Sequence, residues 1–182
     1  MLIEADTSCL IVIDIQQRLA AAMQAPAETV KNARILLTAA AELGVPALVT
    51  EQYPRGLGRT VPELAPAVEA AGAQVIEKLH FSSMNEPAFA AAFAATGRRQ
   101  AVIAGMEAHI CVMQTAAQLM QAGHEVFVVT DATASRTLAS EQACLDRLQA
   151  AGAGIVTTEM VVFEWLGQAG TPAFKALLPL IK

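Results

Sequence analysis

Cys9-Leu-Ile-Val-Ile-Asp14 runs five apolar side chains without a break into a carboxylate. A strand with one face in water alternates apolar and polar residues. A strand that is apolar throughout has both faces covered, as in a parallel sheet held between helices. Outward from this stretch the same grammar repeats. The spacing of Val30, Leu37 and Leu43 predicts a helix over 28–43, with Gly44 as its C-terminal stop. Strands are predicted at 46–50, 74–78, 101–105, 126–130 and 154–158, and helices at 62–71, 86–95, 109–122, 140–151, 160–166 and 172–178. Ser140 is expected to cap the helix that begins with it. Six strands with intervening helices predict an α/β fold. Its form is a three-layer α/β/α sandwich around a doubly wound six-stranded parallel sheet, Rossmann-like, with residues 1–182 as one domain.

Apolar residues make up 54% of the 182 and charged residues 16%, with a mean hydropathy of +0.44. A membrane span needs about 20 consecutive apolar residues, and no such run occurs, so the apolar excess points to a homo-oligomer. The Ala/Met face of 109–121 and the run Leu177–Ile181 are the expected contact surfaces. Acids in Met1-Leu-Ile-Glu-Ala-Asp6 stand where an export signal would carry Lys or Arg. Three widely spaced cysteines, Cys9, Cys111 and Cys144, do not suggest a disulfide framework. Together these lead to an expectation of a cytoplasmic protein. A net charge of −5 gives no footprint for nucleic acid, which leaves a small molecule as the expected partner. No Gly-rich phosphate loop follows any strand, so no nucleotide cofactor is expected.

Ligands of open α/β sheets bind beyond the carboxyl ends of the strands, where strand order reverses. Asp14 ends the first predicted strand and Lys78 the third, and the fourth leads through Gly105 to Cys111 at a helix start. A carboxylate, an amine and a thiol thus converge on one rim. Taken singly, each has an ordinary reading: a solvated strand end, a solvated lysine, a cysteine that only packs. Taken together, they read as a nucleophile in Cys111, a general base in Asp14 and a charge in Lys78 that favours the thiolate. First-turn N–H groups are expected to favour the thiolate further, and free N–H groups in 105–110 to hold an oxyanion. Cys9 and Cys144 are read as structural. Tyr53, Phe81 and Trp165 are candidate pocket walls or core residues, and His109 is expected to line the site or cap the helix, since residues two apart do not share a helix face.

The chain resembles the isochorismatase-like cysteine hydrolases. The residues that carry the resemblance are Ile11-Val-Ile-Asp14-Ile-Gln16, Lys78 followed by Phe81-Ser82, and Gly105-Met-Glu-Ala-His-Ile-Cys111-Val112 leading into Thr115. The resemblance implies a triad of Asp14, Lys78 and Cys111. It also implies a cis peptide between Met106 and Glu107, which turns the N–H groups of Glu107 and Cys111 toward the oxyanion. Gln16, Tyr53, Phe81 and His109 are the candidate substrate-binding residues. Nicotinamidases of this family bind a metal through an Asp-x-His pair and a further His after the second strand. This chain has Glu51-Gln52-Tyr53-Pro54 there and no histidine before His80, so no metal is expected. The expected activity is metal-independent cleavage of a small amide or carbamoyl compound through a Cys111 thioester. A catalytically silent oligomeric binding or scaffold protein that retains the triad is the alternative, and a redox-sensing Cys111 a third reading.

Overall fold

The computed structural model describes residues 1–182. Six strands form: β1 (Ser8–Ile13), β2 (Ala47–Gln52), β3 (Gln74–Lys78), β4 (Gln100–Met106), β5 (Glu125–Ala134) and β6 (Gly154–Val156). Between and after them lie α1 (Gln17–Ala20), α2 (Pro26–Leu43), α3 (Pro54–Leu57), α4 (Ala65–Ala70), α5 (Pro87–Ala95), α6 (Met113–Gln121), α7 (Leu138–Ala150), α8 (Thr158–Leu166) and α9 (Pro172–Leu177). The strands pair in the order β3-β2-β1-β4-β5-β6, every pair parallel. The chain therefore winds outward twice from β1, and the order reverses between β1 and β4.

The unbroken apolar run of β1 is explained by two cores. Leu10 and Val12 pack on one side with α2, α8 and α9. Cys9, Ile11 and Ile13 pack on the other with α5, α6 and α7. Alternate residues of a strand point to opposite faces, so both sets of positions have to be apolar. No helix is long and apolar enough to cross a membrane.

Several boundaries differ from expectation. α7 begins at Leu138 and is capped by Thr137, whose Oγ1 accepts from the Ser140 N–H at 3.2 Å. Ser140 thus lies inside the helix and is not its cap. β5 continues to Ala134, and its register against β4 shifts between Ile103 and Gly105. β6 stops at Val156 because Thr157 leaves the ladder to cap α8. The exposed apolar surface matches the expected contact run only in part, with Leu180 exposed. Leu177 packs into the core, whereas Tyr53, Leu79, Phe81 and Leu138 are exposed.

The loop after β2 is pinned from below by Glu51. Its carboxylate accepts from the Thr60 N–H at 2.7 Å, from Thr60 Oγ1 at 2.8 Å and from Arg59 at 2.8 Å. Burial pushes this carboxyl up, but the bonds from Thr60 and Arg59 outweigh it and bring it below its ordinary 4.5. Glu51→Gln sets an amide NH2 against these donors, and the expected cost is about 1–3 kcal/mol in urea unfolding at neutral pH. A lowered carboxyl contributes stability above its unfolded value and loses it as pH falls through the folded one. The gap between wild type and Glu51→Gln should therefore narrow below pH 4.5.

Candidate active site

The chain leaves β1 at Asp14 in a left-handed conformation, φ 53°, unusual for a residue with a side chain. The Asp14 N–H still donates to the Thr50 carbonyl of β2 at 3.1 Å, and Thr50 Oγ1 donates to Oδ1 at 2.7 Å. The other oxygen, Oδ2, lies 2.7 Å from Lys78 Nζ and accepts no aligned hydrogen bond. Neither side chain of this ion pair is exposed. Lys78 reaches it because β3 pairs with β2 so that Lys78 stands opposite Gln52, one strand away from β1. Nζ also donates to Gln52 Oε1 at 2.7 Å and to the carbonyls of His80 and Phe81, both at 3.3 Å.

Cys111 arrives from the other side of the reversal. β4 runs beside β1 with Gly105 opposite Ile13, the Met106–Glu107 peptide is cis, and Ala108–Val112 then form a single π turn ahead of α6. Cys111 therefore sits in a widened turn and not in the first turn of an α-helix as expected. Extra-wide turns of this kind recur at functional sites. No carbonyl or side chain of the protein accepts the Glu107 N–H. The turn is fixed to its surroundings by Glu107 with Arg136 at 2.5 Å, His109 Nδ1 with Ser135 Oγ at 2.8 Å, and Cys144 Sγ donating to the Ala108 carbonyl at 3.0 Å. α6 is tied to the segment after Lys78 by buried hydroxyls, with the Ser83 N–H donating to Thr115 Oγ1 at 2.9 Å.

The electrostatics differ from the expected thiolate. Burial, and then the Asp14 charge, push the Cys111 thiol up to about 12, with Lys78 pulling the other way. Burial likewise raises the Asp14 carboxyl, opposed by Lys78 and by the Thr50 hydroxyl. Burial thus works against ionisation of the Cys111 thiol, which lies against the buried Asp14–Lys78 pair. The first-turn dipole argument does not apply to a residue inside a π turn, and one lysine does not offset the loss of solvent.

The candidate substrate-binding residues separate. Tyr53 and Phe81 stand half-exposed at the rim, 52% and 56%. Tyr53 lines a groove of about 430 Å³ that runs alongside Lys78 past Arg55, Leu79, His80 and Glu86. Gln16 is instead fully buried and engaged with the protein through both ends of its amide. Its Oε1 accepts from the Gln52 N–H at 2.7 Å, and its Nε2 donates to the carbonyls of Gln52 and Gly58. It holds loops together, with both Nε2 protons already donated. His109 is half-buried and engaged with Ser135, away from a shared face with Cys111. Trp165 belongs to the core, its Nε1 donating to Ser8 Oγ at 3.2 Å. Cys9 and Cys144 are both buried and free, as expected.

Thr50 and Gln52 were not among the residues expected at the site. Their signal was present: polar residues two apart at the end of a buried strand point to the same face, next to the strand that ends in Asp14.

Comparison with known proteins adds to this geometry. Residues 8–160 match the family model described as the isochorismatase domain. Isochorismatase domain-containing protein 1 of Salmo salar is 34% identical over 177 residues, 97% of this chain. The chain spans 61% of the length of that relative. Among solved structures, the MAR1 ribonuclease from Caenorhabditis elegans superposes with a TM-score of 0.93 at 34% identity, over 100% of this chain and 92% of that one. The YcaC gene product of Escherichia coli, described as an octameric hydrolase of unknown specificity, gives 0.92 at 25% identity over 99% and 90%. Sequence and three-dimensional likeness thus agree over nearly the whole chain, and the protein belongs to the isochorismatase family.

Proposed function

We propose that this chain is a metal-independent cysteine hydrolase that cleaves a small amide or carbamoyl compound through a thioester on Cys111. The observation that carries this reading is the buried Asp14–Lys78 pair, 2.7 Å apart, set against a thiol that feels both charges. Burying two opposite charges without solvent is costly, and packing alone would be served as well by apolar residues.

The neutral thiol dictates the order of events. As Cys111 Sγ attacks the substrate carbonyl carbon, its proton passes to Asp14 Oδ2, the oxygen that accepts no aligned hydrogen bond. The oxyanion takes the unclaimed N–H of Glu107. Collapse breaks the carbon–nitrogen bond, and the amine leaves with the proton from Asp14. Water then attacks the thioester, gives a proton to Asp14 and releases the acid, and the thiolate recovers that proton. Lys78 stays beside the Asp14 carboxyl throughout, 2.7 Å from Oδ2.

Small substrates fit a nucleophile that is only 5% exposed. The exposed Tyr53, Leu79 and Phe81 at the rim, with an octameric relative, support self-association. A net charge of −5, with Glu77 and Glu86 at the groove, does not favour RNA. We place the protein in the cytoplasm.

The test is intact mass after brief exposure to small amides, carbamoyl compounds and activated esters, for wild type, Cys111→Ala and Asp14→Asn. A transient acyl adduct on wild type that is absent from Cys111→Ala is the expected result, and its mass names the acyl half of the substrate. No adduct and no turnover across the panel would sink the hydrolase and leave a silent binding protein.

A further inference from the structure

We infer that Gln52 is a positioning residue for the nucleophile, acting through Lys78: it holds the ammonium over Asp14 and Cys111 and keeps it from turning toward the rim. The inference rests on the proposed role of Cys111 but is tested without any substrate.

The Lys78 ammonium has three protons and four oxygens within reach: Asp14 Oδ2 and Gln52 Oε1 at 2.7 Å, the His80 and Phe81 carbonyls at 3.3 Å. The two short contacts, to Asp14 past the end of β1 and to Gln52 at the end of β2, hold Nζ more firmly than the two long ones to the loop after β3. With Gln52 removed, the balance moves to the carbonyls. Gln52 is itself oriented from three sides. Its Nε2 donates to the Leu79 carbonyl at 2.8 Å, its N–H to Gln16 Oε1 at 2.7 Å, and its carbonyl accepts from Gln16 Nε2 at 3.0 Å. The amide cannot flip without placing its NH2 against the ammonium, so Oε1 faces Nζ by necessity. The buried Gln16 therefore serves as the brace of this arm. A caged ammonium also has no proton to spare for a substrate, which leaves proton transfer to Asp14.

The charged groups facing Cys111 are Asp14 from the end of β1 and Lys78 from the end of β3. Glu107 and His109, in the stretch leading into its turn, are engaged with Arg136 and Ser135. Lys78 alone favours the thiolate, so moving Nζ away slows any reaction that needs it.

The experiment follows alkylation of Cys111 by iodoacetamide between pH 7 and 10 by intact mass, with Cys111→Ala as background. Gln52→Met, similar in size but without a strong acceptor, is expected to slow alkylation about tenfold at each pH, the equivalent of one pKa unit. Gln52→Asn, whose oxygen falls one methylene short of Nζ, is expected to slow it in the same direction. In an Asp14→Asn/Lys78→Met background Gln52→Met should change nothing further. Unchanged rates for both single variants overturn the inference, and equal slowing in both backgrounds overturns it in favour of simple access. A missing acyl adduct with this pattern intact would remove the hydrolase and leave the role of Gln52.

Discussion

Gly105→Ala is expected to destabilise the protein by about 4 kcal/mol or more, a large share of the roughly 5–15 kcal/mol that holds a domain folded. A Cβ at Gly105 would lie 2.1 Å from the Ile13 carbonyl oxygen, 2.6 Å from its nitrogen and 2.7 Å from its carbonyl carbon. These are backbone atoms of the strand paired with β4, so no side chain can swing aside. The residue is also at φ +136°, where L side chains rarely go. Overpacking and strain of these kinds each cost about 1–3 kcal/mol, and here they act at one atom. Relief requires β1 and β4 to part at the point where one delivers Asp14 and the other Cys111. The control is Gly44→Ala, at φ +68° with nothing within 4 Å, expected to cost only about 1–2 kcal/mol. Urea unfolding of the two variants decides the matter. A Gly105→Ala protein as stable as Gly44→Ala would mean that β1 and β4 are not held so closely.

The sheet was legible because its strands are short, apolar and separated by recognisable stops. Asp14 was legible for a related reason, since a charge at the end of a buried strand has to be paired or wet. Lys78, by contrast, ends a mostly exposed edge strand and owes its burial to the pairing with Asp14. The π turn was not legible. Nothing in Ala108-His-Ile-Cys-Val112 distinguishes it from the α-helix it enters, and it arises from how β4 hands the chain to α6. With it went one of the two supports for a thiolate, the α-helical first turn, while the other, Lys78, stands where the thiol feels it. Thr137 and Ser140 are both sound caps, and the choice fell to tertiary structure: β5 runs on to Ala134, and the Ser135 N–H donates to Glu141 at 3.0 Å, which starts α7 early. Gln16 was misread because a glutamine two residues past Asp14 looks like a ligand-binding group. Its real partners, Gln52 and Gly58, are distant in sequence and close only once β1 and β2 pair.

Lys78→Met alone is expected to cost about 3–5 kcal/mol at neutral pH, and Asp14→Asn/Lys78→Met together close to nothing. The single change leaves a fully buried carboxylate with only neutral side-chain donors, the Thr50 hydroxyl and the Cys111 thiol. The double change removes both charges, and asparagine keeps an oxygen for Thr50. The pH dependence follows from the same residue. Burial already raises the Asp14 carboxyl, and without Lys78 nothing of comparable size opposes it. For an acid whose folded value is raised, stability is fully present below the unfolded value and is lost as pH rises through the folded one. The Lys78→Met deficit should therefore shrink on acidification because the variant gains stability, whereas the Glu51→Gln gap narrows because the wild type loses it. Activity divides differently. Acylation of Cys111 should fall by about 10²–10⁴ in Asp14→Asn, because the attacking thiol loses the base that takes its proton, and stability regained in the double variant should restore none of it. Thermal melts across pH 4–8 beside acyl-adduct rates separate the two effects. If the double variant is as unstable as Lys78→Met, the pair is a net contributor to the fold. If it is stable and still acylates at the wild-type rate, Asp14 is not the base.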